Sequence, residues 1–214
     1  MGTITRTFTN NIGSNGVLGS SAINNASLNN VTSISGVSLK LLSTATAAGD
    51  ASLSFTSGID STYDEYWFVW NTIHPATDGA DFQFQGSTNS GSSYGVTTTS
   101  TFFGASQSEG GVGGQVSYTT SMDLAQSTSF IPLNPDVGND NDQQTSGILK
   151  IYNPSSTTYV KHFMARSMRV DAGDYVVDCY SAGYLNSTSA INAFQFKFDS
   201  GNIDDGTIQM FGVK

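Results

Sequence analysis

This sequence predicts an all-β fold: an antiparallel two-sheet sandwich of jelly-roll type with an extended N-terminal arm. Three observations lead there. The first is composition, because 31 Ser, 24 Thr, 16 Asn and 23 Gly make up 94 of the 214 residues. Ser, Thr and Asn compete with a helical backbone for hydrogen bonds, and Gly costs about 1 kcal/mol relative to Ala in a helix interior. No Ala-, Leu-, Glu- and Lys-rich stretch offsets them. The second is period-two alternation. Phe194, Phe196 and Phe198 fall on one face of an extended segment while Gln195 and Lys197 leave by the other, and Phe82-Gln83-Phe84-Gln85 repeats the device. The third is spacing: short apolar runs are separated by Gly, Asn, Asp, Ser and Pro clusters, with no amphipathic helix between them.

Residues 1–36 form the first unit. They contain seven Asn and no acid, and their apolar residues are dispersed: Ile4, Phe8, Ile12, Val17, Leu18, Ile23, Leu28, Val31 and Ile34. A segment lying extended on a neighbour needs such spaced anchors, with main-chain hydrogen bonds between them. A docking arm is therefore expected, with a linker or an extra strand of the same domain as the alternatives. Residues 37–214 form the second unit. Strands are expected over 37–42, 51–55, 66–73, 81–85, 95–103, 115–119, 147–152, 159–170, 175–185, 191–198 and 207–213. The intervening segments 86–94, 105–114 and 132–146 are low in apolar content and are expected as long loops presenting a surface. With 37% hydrophobic residues, including 13 Phe, 9 Tyr and 2 Trp, the chain can fill one core.

Charge narrows the function classes. Only 12% of residues are charged and the net charge is −9, with eight scattered Lys and Arg. Phosphate neutralisation needs clustered bases, so nucleic acid is not an expected partner. No run of about 18 apolar residues is present, so membrane insertion is not expected. The opening MGTITRTFTNNIG lacks a basic and then apolar leader pattern, which suggests synthesis in a cytoplasm. Cys179 is the single cysteine and cannot form an internal disulfide.

Candidate chemistry is sparse. His74, before Pro75, reads as a structural histidine at a strand end, because no Ser or Cys nucleophile motif accompanies it. His162 shares a strand face with Val160 and Met164 and reads as a core or interface residue. HExxH, CxxC, GxSxG and GxxxxGK[ST] are all absent, so no catalytic, cofactor-binding or metal residue is assigned and an enzyme is not expected. Asp136, Asp140 and Asp142 in DVGNDND are the most cation-like group, but they lack the Gly and Glu spacing of an EF-hand. A solvated turn rich in Asx hydrogen bonds is the expectation there. Asp64 and Glu65 are adjacent, so on a strand they face opposite ways and cannot flank one glycosidic bond. Carboxylates far apart in sequence stay open to a glycosidase. Aromatics can also stack on sugars, but Trp67 and Trp70, three apart on a strand, face opposite sides, and at least one belongs to the core.

Four blocks carry a resemblance. They are Ile59-Asp60-Ser61-Thr62-Tyr63-Asp64-Glu65-Tyr66; Ile73-His74-Pro75-Ala76-Thr77-Asp78; Ser146-Gly147 with Ile151-Tyr152-Asn153-Pro154-Ser155-Ser156; and Ser200-Gly201-Asn202-Ile203 with Gly206-Thr207-Ile208-Gln209-Met210-Phe211-Gly212-Val213-Lys214. Over about 37–214 these resemble short virion structural proteins of tailed phages, especially marine and cyanobacterial ones; the start Thr3-Ile4-Thr5-Arg6-Thr7-Phe8 is similar to the opening of such proteins. The resemblance implies a virion β-sandwich with no catalytic motif to carry over. It implies a capsid decoration (cement) protein docked by the arm on the major capsid protein or another virion protein, assembled in a host cytoplasm. The alternative is a tail or head fibre protein with a receptor-binding tip that could engage a host surface glycan; the lack of heptads or internal repeats for a shaft favours decoration. A carbohydrate-binding module or carbohydrate-active enzyme is a third class. The expected working unit is a homotrimer.

Overall fold

The computed structural model describes residues 39–214, so the arm expected over 1–36 lies outside the described residues. Thirteen strands follow in order: β1 (Leu39–Thr46), β2 (Leu53–Phe55), β3 (Glu65–Pro75), β4 (Ala80–Ser87), β5 (Thr98–Ser108), β6 (Gln115–Tyr118), β7 (Leu124–Ser127), β8 (Ile131–Val137), β9 (Thr145–Tyr152), β10 (Lys161–Val170), β11 (Tyr175–Leu185), β12 (Ala193–Phe198) and β13 (Ile203–Val213). Among the described residues there is no helix, and therefore none long and apolar enough to cross a membrane. The strands form two antiparallel sheets that make the expected sandwich. The larger runs β1-β13-β3-β9-β10-β11-β5-β6, with β7 also on β5, and the smaller runs β2-β12-β4-β8.

The pairing is an antiparallel ribbon rolled on itself. β1 pairs β13, β2 pairs β12, β3 pairs β9 and β4 pairs β8, so successive pairs fall on alternate sheets. Two insertions break the ribbon: β5–β7 between β4 and β8, and β10–β11 between β9 and β12. Both join the larger sheet beyond β9, which makes that sheet wider than the one facing it.

The core lies between the sheets. Phe82, Phe84, Phe194, Phe196 and Phe198 descend from the smaller sheet as the alternation expected, at no more than 2% exposure. They meet Tyr66, Phe68, Trp70, Leu149, Ile208 and Met210 of the larger sheet. Phe68 is central, with ring centroids 5.2 Å from Phe55, 5.3 Å from Phe194 and 5.2 Å from Phe196. Burial of one such ring contributes about 1.5–3 kcal/mol. A bulge between Trp70 and Ile73 keeps both of these side chains in the core: Thr72 adopts φ 50°, and its amide donates to Ser146 Oγ at 3.0 Å. Opposite it, Gly206 has φ 117°, and a Cβ there would lie 2.5 Å from Thr72 O.

The segment 132–146, expected as a loop, is corrected at both ends, since Thr145 and Ser146 belong to β9 and its first part is strand as well. Residues 132–137 belong to β8, where Ile131, Leu133 and Val137 are fully buried. Pro132 and Pro135 made it read as a loop, and they are tolerated because β8 is the edge of its sheet and has a partner on one side only. The edge is closed by side chains from the larger sheet: Ser167 Oγ donates to Leu133 O at 3.2 Å, and Arg169 Nη1 donates to Asp136 O at 2.8 Å. The short strand β7 lies in a segment that had no strand expected. Of the other two expected loops, 86–94 loses Gly86 and Ser87 to β4, and 105–114 loses its first four residues to β5.

Candidate functional site

Asp136, Asp140 and Asp142 are spread apart. Asp136 lies in β8 with φ 55°, while Asp140 and Asp142 are exposed in the turn beyond it. That turn is held by a local bond, Gln143 N donating to Asp140 O at 2.9 Å, and by a distant one, Asn139 N donating to Asp78 Oδ1 at 3.2 Å. Among the described residues no group of three or more His, Cys, Asp or Glu is placed to hold a metal ion. His74 sits near the end of β3, with Nδ1 3.8 Å from Asp204 Oδ2 and Nε2 3.3 Å from Asp140 O. Glu65 Oε2 accepts from Trp67 Nε1 at 2.9 Å, which ties one of the two adjacent carboxylates to an indole.

Asp136 and Asp171 gather instead around Arg169. Arg169 is 8% exposed and lies 3.4 Å from Asp171 Oδ2 and 3.9 Å from Asp136 Oδ2. Asp171 Oδ1 also accepts from Gly173 N and Tyr175 N, at 3.0 Å each, and so fixes the β10–β11 turn. Burial pushes the Asp136 and Asp81 carboxyls above the usual carboxylate value, and Arg169 partly opposes the rise. Cys179 lies deeper, 1% exposed, and desolvation raises its thiol pKa. Arg169 Nε and Asn134 Nδ2 are buried without an oxygen partner, and both side chains bear on that thiol.

Arg169 lines a cleft of about 500 Å³ beneath the overhanging part of the larger sheet. Phe102, Met122, Tyr175, Val177 and Asp171 line it too, with Ser117 and Gln115 of β6 on its open side. The cleft exists because the smaller sheet ends at β8 while the larger continues through β11, β5 and β6.

On the opposite, outer face of the larger sheet stands a broad apolar surface. Leu39 and Leu41 on β1, Met164 and Met168 on β10, and Val176 on β11 are 42–56% exposed. Phe103 on β5 and Tyr118 and Val116 on β6 extend the surface to the far edge, at 41%, 52% and 76% exposure. Register puts them on one side: Leu41 pairs with Phe211, Phe211 with Trp67, Trp67 with Lys150 and Lys150 with Met164; a second row runs Ile148, Arg166, Tyr180, Phe103, Tyr118. Its charges are paired off. Arg166 Nη2 donates to Asp178 Oδ2 at 2.9 Å, and Lys150 Nζ lies 4.1 Å from the centroid of the Trp67 ring, whose Nε1 donates to Glu65. Arg166 holds the Asp178 carboxyl below its usual range by hydrogen bonding. Phe103 stacks on Tyr180 at 4.8 Å with rings 2° from parallel. His162 is on this face, exposed and edge-on to Tyr184 at 6.4 Å, which removes the core half of its expectation and leaves the interface half. Trp67 faces outward and Trp70, 0% exposed, faces the core.

Comparison with protein-family models, with curated proteins and with solved structures finds no match for this chain.

The cleft had no signature in the sequence, since its walls come from strands far apart in the chain. The outer face had one: in Lys161–Val170, His162, Met164, Arg166 and Met168 occupy the positions that alternate with the core-facing Phe163 and Ala165. Methionine at the solvent side of a strand marks a surface that adapts to a partner.

Proposed function

We propose that this chain is a virion structural protein of a tailed phage: a decoration protein of jelly-roll type, docked through residues 1–36 on the major capsid protein. The resemblance of the four sequence blocks supports the phage reading, and the pairing of β1 with β13, β2 with β12, β3 with β9 and β4 with β8 supports the jelly-roll one. The observation that carries the structural role is the wide, charge-compensated apolar face on an otherwise acidic sandwich. A surface of that kind suits a protein whose work is to cover and be covered.

A second reading, a fibre tip engaging a host surface glycan, is favoured by the cleft. There Tyr175 offers a ring, while Arg169 and Asp171 offer a donor and an acceptor. Immunogold imaging of phage particles with an antibody to residues 39–214 tests both. Label over the head supports decoration, label at the tail selects the fibre reading, and unlabelled particles overturn both.

A further inference from the structure

We infer that the outer face of the larger sheet is a self-association surface, on which a second copy of this chain packs sheet to sheet about a two-fold axis. Eight of the ten large apolar side chains that are exposed among the described residues stand on this face; Val112 and Tyr159, in turns, are the other two. Random scatter over the surface would not gather them so.

Charge selects the occupant. Residues 39–214 hold seven of the eight basic residues and all 17 acidic ones, a net −10. Away from the irregular end of β13 with Asp204 and Asp205, the strand residues of this face contribute Glu65, Asp178, Lys150 and Arg166, which cancel, and Asp123, just before β7, adds one acid at the far edge, where it accepts from Tyr118 Oη at 2.6 Å. A basic partner would be drawn to the other acids and gain nothing here. The surface that matches a nearly charge-balanced face rich in Met, aromatic rings and Arg is the same face of another copy, which meets it without bringing two strongly acidic surfaces together.

Size and symmetry agree. Eight strands at about 4.8 Å spacing span roughly 34 Å, and the longest, of 11 residues, run about 36 Å. Allowing for twist, roughly 800 Å² per copy is available, which is what a standard stable interface needs. A cyclic trimer requires two different complementary patches on each copy, whereas a two-fold pair uses one patch twice. The described residues present one such patch, so the pair is favoured over the three-fold unit that the phage resemblance implies. The pairing stands independently of the virion reading, because solution mass tests one and particle labelling the other.

Multi-angle light scattering of the full chain should give twice the 22.5 kDa chain mass. The double variant Met164→Lys, Met168→Lys should weaken association by about 100-fold, while Tyr159→Lys should leave the mass unchanged. If the double variant fails to fold, hydroxyl-radical oxidation of Met164 and Met168 in the wild-type chain replaces it, and both should become more reactive on dilution. A monomer at about 100 µM, a trimer, a double variant that still pairs, or methionine reactivity independent of concentration would each overturn the inference.

Discussion

Trp70 ties three strands together across the sandwich. Its Nε1 donates to Thr145 Oγ1 at 3.2 Å, and Thr145 Oγ1 donates to Asn134 Oδ1 at 2.7 Å, linking β3 and β9 to β8 of the facing sheet. Trp70→Phe keeps most of the ring but leaves Thr145 short of a donor, so a loss of about 1–2 kcal/mol is expected, seen as a fall in Tm of roughly 2–8 °C. Gly147 is tighter still, since a methyl there would lie 2.5 Å from Ser167 Cβ and 2.6 Å from Trp70 Cζ2. Gly147→Ala should therefore cost about 1–3 kcal/mol by overpacking, measured by urea denaturation. Asp81 gives a pH signature. Its folded pKa is raised by burial, so its charged form is disfavoured in the native state at neutral pH, and that penalty fades as pH falls through the ordinary carboxylate range. Asp81→Asn retains an oxygen for the Asp136 amide, which donates to Asp81 Oδ1 at 2.8 Å. The variant should melt above wild type at pH 7, with the gain disappearing toward pH 4; a gain that persists at pH 4 would refute the assignment.

At the scale of the elements, β8 is the test of the packing argument. Leu133 is fully buried in a segment whose prolines read as a loop, and Leu133→Ala should cost about 2–5 kcal/mol, as a core strand requires. A loss under about 1 kcal/mol would return the segment to a surface role. Eleven of the thirteen strands were legible because alternation is a local signal: one face of β12 or β4 is aromatic and the other polar. β8 was not legible, because the partners that stabilise it, Ser167 and Arg169, sit more than thirty residues away. The solvated turn expected at Asp140 and Asp142 is what the chain forms, but Asp136 was grouped with them only by proximity: it lies in β8 and turns toward Arg169. The outer face was half legible. The sequence placed His162 and Met164 on one strand face, as core or interface, whereas Leu41, Phe103 and Tyr118 join that face only through register.

For the whole molecule, every buried core residue lies between Ala47 and Met210 among the described residues. A chain lacking residues 2–36 should therefore keep its cooperative unfolding, with a Tm within about 3 °C of the full chain, and should no longer bind particles. Large destabilisation would make the arm part of the domain, and retained binding would move docking elsewhere. Because residues 39–214 carry −10 while the strands of the proposed contact face carry no net charge, added salt should strengthen pairing by screening the acids that surround the face. Light scattering between low and high ionic strength measures this.

The pairing of β1 with β13 has a consequence for synthesis. Leu39, at the start of the first described strand, finds its partner in Val213, at the end of the thirteenth. β13 also separates β1 from β3, so a ribosome that has made everything up to β12 has delivered a sheet with its second position empty. Until residues 203–213 emerge, the inner faces of Tyr66, Phe68 and Trp70 lack Ile208 and Met210 beside them. The nascent chain must hold these apolar strands apart until β13 is made, and closure of the sheet waits for that strand. Contacts so distant in sequence also slow folding. Cells making this protein should therefore depend on chaperones that shelter unfinished β-structure, and a ribosome stalled before residue 203 should carry an aggregation-prone chain.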